Sequence, residues 1–387
     1  MSKIEQLIKE KCPNGVEYKK LKELVDYIQP TKYIVKDTRY DDKYDIPVLT
    51  AGQTFILGYT NEEIGIYKAD KNNPVIIFDD FTTSNHWIDF QFKVKSSAMK
   101  ILIPKTQDVF KYIYYCIQNI KYIPKEHSRQ WIQTFSEFKI PLPPLEVQEE
   151  IVKILDKFSE LDAELETELE TRKKQYEFWN AKIFNSNIKK YKLGELCNIT
   201  SGGTPSKRNS EYWENGDIKW LGSSVCKSKK KIDGITDYIT DLGLKKSSAK
   251  MLKPGTTLIA MVGATIGKVA YLNFEACTNQ NVASLWPKSE KILNNEYLFY
   301  ACSNLYNDFL NLSKGGFAMA NLRFIKNLEI PVPSIQEQER IVKILDKFDK
   351  LINDISEGIP AEMEARREQY EYYRNKLLSF EELKTNE

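Results

Sequence analysis

The octapeptide IVKILDKF occurs at Ile151 to Phe158 and again, unchanged, at Ile341 to Phe348. Its apolar residues recur at the three- and four-residue steps that place them on one face of a helix. Each copy therefore predicts an amphipathic helix, and the repetition indicates that a larger part of the chain has been duplicated.

The similarity extends to both sides of the octapeptide. Upstream, IPLPPLEVQEE at 140–150 corresponds to IPVPSIQEQER at 330–340, and the prolines predict an extended segment that turns into a helix. Downstream, RKKQYEFWNAKIF at 172–184 corresponds to RREQYEYYRNKLL at 366–378. Both copies therefore predict a strand followed by a long helix.

The second helical region is longer than the first by four residues, because the downstream match is offset by 194 positions and the octapeptide by 190. An insertion close to one helical turn keeps the apolar face in place. We expect a first helix over about 146–184 and a second one with a kink or break at Gly358 and Pro360. The simplest way to bury both apolar faces is to pack the helices antiparallel, as in a coiled coil.

The regions before the two helices also resemble each other. YKKLKEL at 18–24 is similar to YKLGEL at 191–196, and strand-like runs separated by turn signals dominate both regions. We predict an α+β fold with a pseudo-two-fold internal repeat, in which two globular domains are joined by two long, antiparallel, coiled-coil-like helices. The predicted segments are domain 1 at 1–145, helix 1 at 146–188, domain 2 at 189–333, and helix 2 with its tail at 334–387.

Charge separates the domains from the helices, although the whole chain of 387 residues has a formal charge of only +2. Residues 1–145 carry +3 and residues 190–333 carry +7, whereas 146–189 and 334–387 carry −4 each. A basic domain favours a polyanionic partner, and an acidic helix favours protein or solvent.

The composition argues against several classes of protein. The longest apolar stretch, at 257–267, is too short to span a bilayer, and the chain does not start with the apolar core of a signal peptide. We therefore expect a cytoplasmic chain without a membrane partner. The six cysteines form no CxxC pair and only two histidines occur, which favours neither a disulfide framework nor a zinc site.

No catalytic motif stands out. GATIGK at 263–268 has three residues between its glycines, where a phosphate-binding loop has four, and Val269 follows the lysine in place of Ser or Thr. A tight turn between strands is the better interpretation. Neither an NPPY-type methyltransferase motif nor a nucleophile arrangement around His86 and His127 is found. We expect no catalytic, cofactor-binding or metal site in this chain.

The order of domain, helix, domain and helix resembles the specificity (S) subunit of type I restriction-modification systems, over essentially the whole chain. The most specific residues are IPLPPLEVQEEIVKILDKF and IPVPSIQEQERIVKILDKF, the QYE motifs at Gln175 and Gln369, and VGATIGKVAYLNFEACTNQN at 262–281. In that family two target recognition domains alternate with two conserved helical regions. The resemblance implies a non-catalytic DNA-recognition subunit, whose domains each read one half of a bipartite site and whose helices set the gap and dock methyltransferase subunits.

The resemblance also implies the partners. They are double-stranded DNA with a bipartite site, two methyltransferase (M) subunits and restriction (R) subunits. S-adenosylmethionine, and ATP with Mg²⁺, would be bound by these partners rather than by this chain. The implied modification is adenine methylation, with base flipping by the methyltransferase subunits.

Polar side chains in loops between strands are the candidates for contacts to bases and phosphates. An ordinary surface or turn role is the alternative for each of them. The candidates in the first domain are Gln53, Thr54, Thr83, Ser84, Asn85, His86, Ser128, Arg129 and Gln130. The candidates in the second domain are Thr204, Ser206, Lys207, Arg208, Ser223, Lys227, Lys268, Asn279, Gln280 and Lys314. Aromatic residues near the helix ends are candidates for packing or partner contacts: Tyr176, Trp179, Tyr370 and Tyr373.

Two other classes of function stay open at this point. One is a nuclease or methyltransferase whose active site has no recognised motif, which would act on DNA without partners. The other is a scaffold with two related domains that bind proteins, which would lack salt-sensitive duplex binding. Neither accounts for two similar helices that frame two divergent basic domains.

Overall fold

The computed structural model describes residues 3–50, 54–184, 188–313, 319–354 and 357–383. The chain forms two compact units: unit 1 comprises Met1–Ala163 with Ala365–Glu387, and unit 2 comprises Glu164–Glu364. Both divisions between the units fall inside helices. The linear segments predicted from the sequence therefore stay a prediction, since the units divide the chain by packing rather than by order.

Unit 1 begins with a helix and contains one α+β domain, followed by the long helix α4 that it shares with unit 2. Its elements are α1 (Lys3–Lys11), β1 (Glu17–Lys20), α2 (Leu21–Leu24), β2 (Val25–Ile28), β3 (Ile46–Leu49), β4 (Ile56–Thr60), β5 (Val75–Asp79), β6 (Asn85–Ile88), β7 (Lys93–Val94), β8 (Met99–Pro104), α3 (Phe110–Asn119), β9 (Lys139–Leu142) and α4 (Leu145–Phe184).

Unit 2 contains the second α+β domain and a helical region whose last helix, α11, it shares with unit 1. Its elements are β10 (Lys190–Lys192), α5 (Leu193–Leu196), β11 (Cys197–Ser201), β12 (Ile218–Leu221), β13 (Asp237–Ile239), α6 (Asp241–Lys245), β14 (Thr257–Ala260), β15 (Val269–Tyr271), β16 (Cys277–Thr278), β17 (Val282–Pro287), α7 (Asn295–Ser303), α8 (Tyr306–Ser313), α9 (Leu322–Asn327), β18 (Glu329–Pro331), α10 (Ile335–Asn353) and α11 (Ile359–Leu377).

The sheets of the two units have the same topology. Unit 1 has an antiparallel sheet in the order β2-β8-β5-β6, a second sheet in the order β4-β3-β7, and the pair β1-β9. Unit 2 has β11-β17-β14-β15, β13-β12-β16 and β10-β18 in the corresponding places. In both second sheets one neighbour of the central strand is antiparallel and the other is parallel. The predicted internal repeat is therefore confirmed strand by strand.

In unit 1, the first part of α4 packs antiparallel to the last part of α11. Ile151 and Leu155 are fully buried in the core, and Leu377 belongs to the same apolar cluster. Further along α4, the Phe158 ring lies 5.5 Å from that of Tyr373 and 6.3 Å from that of Tyr370. The contacts advance along one helix as they go back along the other, as predicted.

Unit 2 repeats this arrangement with the parts exchanged. The second octapeptide lies within α10, and its Ile341 and Leu345 are buried together with Phe184 from the last turn of α4. One turn further on, the Tyr176 ring lies 6.2 Å from that of Phe348. Each octapeptide therefore packs against the QYE-containing segment of the other repeat. A duplicated apolar face is needed because each unit contains both kinds of segment.

A tyrosine in each unit binds the aspartate of the octapeptide. The Tyr115 hydroxyl of α3 donates to Asp156 at 2.5 Å, and the Tyr300 hydroxyl of α7 donates to Asp346 at 2.6 Å. Burial is the larger cause, and the hydrogen-bonded carboxylate the second, that raises the pKa of both tyrosines far above the usual range. These bonds tie the domain to its helix at the same place in both units.

A buried glutamine near the start of α4, and another near the start of α10, make a second shared connection. Gln148 donates to the Pro143 carbonyl and accepts from the Val109 N–H, both at 2.9 Å. Gln338 donates to the Pro333 carbonyl and accepts from the Asn294 N–H, also at 2.9 Å. Because both amides are fully buried, an apolar replacement would leave these backbone groups without partners.

The interruption expected in the second helical region is a full break, so this region is two helices rather than one long helix. α10 ends at Asn353 and α11 begins at Ile359. A Cβ at Gly358 would lie 2.6 Å from the Lys350 carbonyl oxygen and 2.7 Å from that of Asp354, so only glycine fits there. Pro360 lies in the first turn of α11, where its missing N–H costs no helical hydrogen bond.

Candidate nucleic-acid interface

Three sequence-predicted loops of unit 1 meet at the β5–β6 end of its main sheet. Phe55, next to Thr54, stacks on the His86 ring with centroids 3.8 Å apart. Phe81 stacks on His127 with centroids 4.7 Å apart. The stacks bring the segments around residues 54, 81–86 and 127–131 to one exposed site, although they are far apart in sequence.

The β5–β6 loop presents short hydroxyl side chains from a fixed backbone. Asp79 accepts hydrogen bonds from the Phe81 and Thr82 N–H groups at 2.8 and 3.2 Å. Thr83 has a left-handed backbone with φ of 63°, and the exposed Ser84 accepts a hydrogen bond from the Thr82 hydroxyl at 3.1 Å. A strained residue held by its neighbours is typical of a functional loop.

The base of this site is organised by Asp80, which is fully buried. Its Oδ1 accepts from the Trp131 N–H at 2.9 Å, and its Oδ2 lies 3.4 Å from the Lys100 Nζ and 3.9 Å from an Arg129 nitrogen. The Arg129 side chain is nevertheless half exposed. The guanidinium is thus oriented at its inner side by a carboxylate and open to a ligand at its outer side.

Gln130 has a different place from its neighbour Arg129. It is 4% exposed, its Oε1 accepts from the Tyr122 hydroxyl at 2.8 Å, and its Nε2 donates to the Ser128 carbonyl at 2.8 Å. Both ends of the amide are therefore used to fold the loop. This geometry supports a loop-stabilising role and not a contact to bases.

Asn85 and His86 lie on β6 and are half buried. Within the described residues the Oδ1 of Asn85 has no hydrogen-bond partner, while its Nδ2 donates to the Thr83 carbonyl at 3.3 Å. Burial lowers the pKa of His86, and the Asp79 carboxylate opposes that shift. The imidazole is therefore favoured in its neutral form, which has one donor and one acceptor.

Three predicted loops of unit 2 also converge, and close backbone approach holds them. The Gly203 N–H donates to the Thr278 carbonyl at 2.8 Å, and the Asn279 N–H donates to the Leu221 carbonyl at 2.9 Å. A Cβ at Gly202 would lie 1.8 Å from the Thr278 carbonyl oxygen, and one at Gly203 would lie 2.0 Å from the Ser248 Oγ, which explains the consecutive glycines. Segments 201–208, 221–226 and 278–281 therefore form one site.

Exposed polar side chains cover this site. The Thr204 hydroxyl donates to the Gln280 Oε1 at 2.6 Å, which joins two of the three segments at the surface. The Lys207 ammonium lies 5.0 Å from the centre of the Trp213 ring, and Lys227 is exposed on the next loop. The other predicted residues that lie exposed or half-buried in unit 2 are Ser206, Arg208, Ser223, Lys268 and Asn279.

Two of the predicted DNA-contact residues, Gln53 and Lys314, lie outside the described residues. Lys268 lies in the β14–β15 turn, where Gly263 and Gly267 adopt φ angles of 73° and 75°. That segment is the tight turn expected from the failed phosphate-loop motif. Among the described residues, no cluster of histidine, cysteine, aspartate or glutamate side chains is suited to a metal ion.

The four aromatic candidates for partner contacts differ in exposure. Burial raises the pKa of Tyr176 to about 12, and the Tyr370 hydroxyl donates to Gln118 at 3.3 Å, so both pack inside their units. Trp179 is 43% exposed and Tyr373 is 39% exposed. Two neighbouring rings at the same helix ends are exposed as well: Phe178 and Tyr372.

A surface groove accompanies the helix pair in each unit. In unit 1 a groove of about 550 Å³ lies between α1, α4 and α11, and its walls include Ile154, Phe158 and Tyr373. In unit 2 a groove of about 410 Å³ is lined by Trp179, Ile344 and neighbouring residues. None of the helices in the described part of the chain combines the length and apolarity that a membrane span requires.

Comparison with solved structures supports the fold. An S subunit of a type I restriction-modification system from M. genitalium matches with a TM-score of 0.58 at 16% identity, covering 94% of this chain and 96% of the other. A chain from a study of complex assembly and conformational transition of the type I R-M system matches with a TM-score of 0.59 at 19% identity, over 95% and 98%.

Comparison with known sequences establishes the family. The type I restriction enzyme EcoR124I/EcoR124II specificity subunit of Escherichia coli is 42% identical over 96% of each chain. A putative type I restriction enzyme specificity subunit of Haemophilus influenzae is 29% identical over 94% of this chain and 96% of its own length. The family model described as "Type I restriction modification DNA specificity domain" matches residues 13–172 and 185–365. The chain belongs to the family of type I restriction-modification specificity subunits.

Proposed function

We propose that this chain is the DNA sequence-specificity subunit of a type I restriction-modification complex and that each unit reads one half of a bipartite site. The observation that carries the proposal is the repeated topology. The two units have the same sheet topology and the same Tyr–Asp and Gln connections, while the loops at the candidate sites differ in sequence and shape. We call the repeated sheets, together with the helices that make the Tyr–Asp and Gln connections, the frame of each unit. A repeated frame that carries two different reading surfaces suits recognition of two unlike half-sites by one chain.

The contacts to DNA are assigned to exposed or half-buried members of the two loop sites. In unit 1 they are Thr83, Ser84 and Arg129, and in unit 2 they are Thr204, Lys207, Lys227 and Gln280. Lysine and arginine supply the salt-dependent attraction to phosphates, and side chains with paired donors or acceptors read base edges in the major groove.

The helices take the second role, which is to dock two methyltransferase subunits and to fix the unread gap. Exposed rings at Trp179 and Tyr372, together with the apolar grooves beside α4 in each unit, support this assignment. Aromatic residues in partly buried pockets are frequent anchors of protein interfaces. The partners would bind S-adenosylmethionine, and ATP with Mg²⁺, so this cytoplasmic chain would contribute recognition without chemistry of its own.

A methylome map of the native host tests the proposal. Deletion of this gene is expected to remove one bipartite adenine-methylated motif, and a plasmid copy is expected to restore it. An unchanged map in a host whose methyltransferase partner is expressed would contradict the proposal. The protein-scaffold interpretation would then be favoured.

A domain exchange tests the division of labour between the units. Replacing residues 197–329 by the corresponding segment of a related subunit is expected to change one half-site and to leave the other intact. A simultaneous change of both half-sites would contradict separate reading.

A further inference from the structure

The charged residue that connects a candidate reading loop of unit 2 to its helices is Lys230. It lies between Val225 and β13, in a loop whose neighbouring lysines, Lys227 and Lys229, are exposed. Its own side chain turns inward and is only 19% exposed. A lysine whose side chain is largely withdrawn from solvent requires a partner to compensate for its desolvation.

The partners of Lys230 are two carboxylates on the helical frame. Its Nζ lies 2.5 Å from the Asp346 Oδ1 on α10 and 2.9 Å from the Glu296 Oε1 on α7. Tyr300 donates to the same Asp346 oxygen at 2.6 Å, and the Tyr300 ring lies 5.7 Å from the ammonium. The burial of Lys230 acts to lower its pKa, but the two carboxylates outweigh burial and the pKa is raised.

Unit 1 neutralises the equivalent aspartate in another way. Asp156 binds Tyr115, as Asp346 binds Tyr300, but its cation is Lys111 at 3.0 Å. Lys111 lies on α3 itself, at the position that Glu296 occupies on α7. The frame of unit 1 is therefore balanced from within, whereas the frame of unit 2 carries an extra carboxylate and takes its cation from the loop.

We propose that Lys230 is a positioning residue that fixes the 226–235 loop of unit 2 on α10 and α7, so that DNA reading by unit 2 depends on this ion pair. The inference rests on the proposed function. The loop is also held by the Ser228 N–H, which donates to the Val269 carbonyl at 2.8 Å, and by the buried Ile232. These contacts attach the loop to the domain, and Lys230 attaches it to the helices.

The test compares three variants in the complex assembled with its methyltransferase partners. The probes are duplexes that carry the mapped motif or single base changes in either half-site. A single base change costs wild type about five- to 150-fold in affinity, because one mismatch costs about 1–3 kcal/mol. With Lys230→Met we expect discrimination in the unit 2 half-site to fall below about threefold, with the unit 1 half-site unchanged.

Lys111→Met is the matched control, since it removes the cation from Asp156, and the Lys111 ammonium otherwise lies 5.2 Å from the centre of the Trp87 ring, which is on strand β6 rather than in a loop. We expect both half-sites to be discriminated as in wild type. The double variant Lys230→Met with Glu296→Lys rebuilds the arrangement of unit 1, with the cation on the helix. We expect this double variant to have the Tm of wild type but to lack the wild-type discrimination in the unit 2 half-site.

Two results would overturn the inference. One is Lys230→Met with wild-type discrimination in the unit 2 half-site, and the other is a double variant that recovers both Tm and discrimination. In the second case charge balance alone would account for the role of Lys230. A wild-type complex without any half-site discrimination would instead contradict the proposed function, so the two failures are distinguishable.

Discussion

Unit 1 and unit 2 are most alike where the domain meets its helices and least alike at the ends of their sheets. The Tyr–Asp and Gln–backbone connections agree to within 0.1 Å in their principal distances. The β5–β6 connection, by contrast, contains Thr83 with a left-handed backbone, whereas the β14–β15 connection uses Gly263 and Gly267. The Tyr–Asp and Gln–backbone hydrogen bonds do not involve the loops of the candidate sites, so the same arrangement of domain and helices accepts unlike loops.

Lys230 departs from this separation of loops from the frame, since it connects a loop of unit 2 to the frame. The frame of unit 1 uses Lys111 of its own helix instead. The two units thus have the same architecture, but a charged loop residue is bound to the helices in unit 2, whereas in unit 1 the corresponding cation lies on a helix.

The largest effect is expected from the buried leucines of the two octapeptides. Leu155→Ala and Leu345→Ala each remove a fully buried side chain and should destabilise their own unit by about 2–5 kcal/mol. Hydrogen exchange measured by peptide resolves the two units separately. The exposed Lys157→Ala and Lys347→Ala are the controls, and equal loss of protection in both units from one leucine variant would contradict independent frames.

The next effect concerns DNA reading in unit 1. Arg129→Ala should reduce discrimination in one half-site by about 1–3 kcal/mol, because the half-exposed guanidinium is free to read a base edge. Binding of duplexes with single base changes measures it. Gln130→Glu is an informative contrast, because Gln130 is buried. This variant should lower the stability of the protein more than it alters the DNA specificity. Uniform loss of affinity for all sequences would assign Arg129 to phosphate instead.

The tyrosines that bind the octapeptide aspartates should give a smaller and equal effect. Tyr115→Phe and Tyr300→Phe each remove one hydrogen bond to a carboxylate and should cost about 1–2 kcal/mol. Urea unfolding followed by unit-specific hydrogen exchange measures the cost, with the exposed Tyr372→Phe as control. A large effect in one unit and none in the other would show that the two connections are not equivalent.

The smallest effect is the histidine component of the pH dependence, which is expected in unit 1 alone. Because burial lowers the pKa of His86, the unfolded chain binds the proton more readily than the folded one. Unit 1 should therefore be most stable above the ordinary histidine pKa of about 6.5 and should lose stability as pH falls below it. Both histidines of the chain lie in unit 1, so unit 2 is an internal control. In His86→Gln this component should vanish; its persistence would exclude His86 as the source.

The helices were predictable because their signal is local and repeated. The helix expected over about 146–184 is observed as Leu145–Phe184, and the break at Gly358 follows from the chemistry of glycine and proline. Ser334 caps the start of α10, since its Oγ accepts from the Glu337 N–H at 3.3 Å, and the Glu337 carboxylate pairs with Arg340.

The candidate site was predictable only as a set of loops. That residues near 203 and 278 touch, or that Arg129 points out while Gln130 points in, depends on pairings between distant strands that no local pattern encodes. The Tyr–Asp connections had a signal, because Asp156 and Asp346 are polar residues within an identical octapeptide. Their tyrosine partners could not be named without the fold.

The discontinuity of unit 1 has a consequence for the order of folding during synthesis. Leu377 and Leu378 complete the apolar cluster that contains Ile151 and Leu155, yet the ribosome makes them only after all of unit 2. Unit 2 ends at residue 364, so its chain is complete earlier and it can close first. Until α11 has been synthesised, the apolar face of the first part of α4 stays uncovered. The earlier half of the nascent chain is therefore the part most prone to aggregate or to bind chaperones.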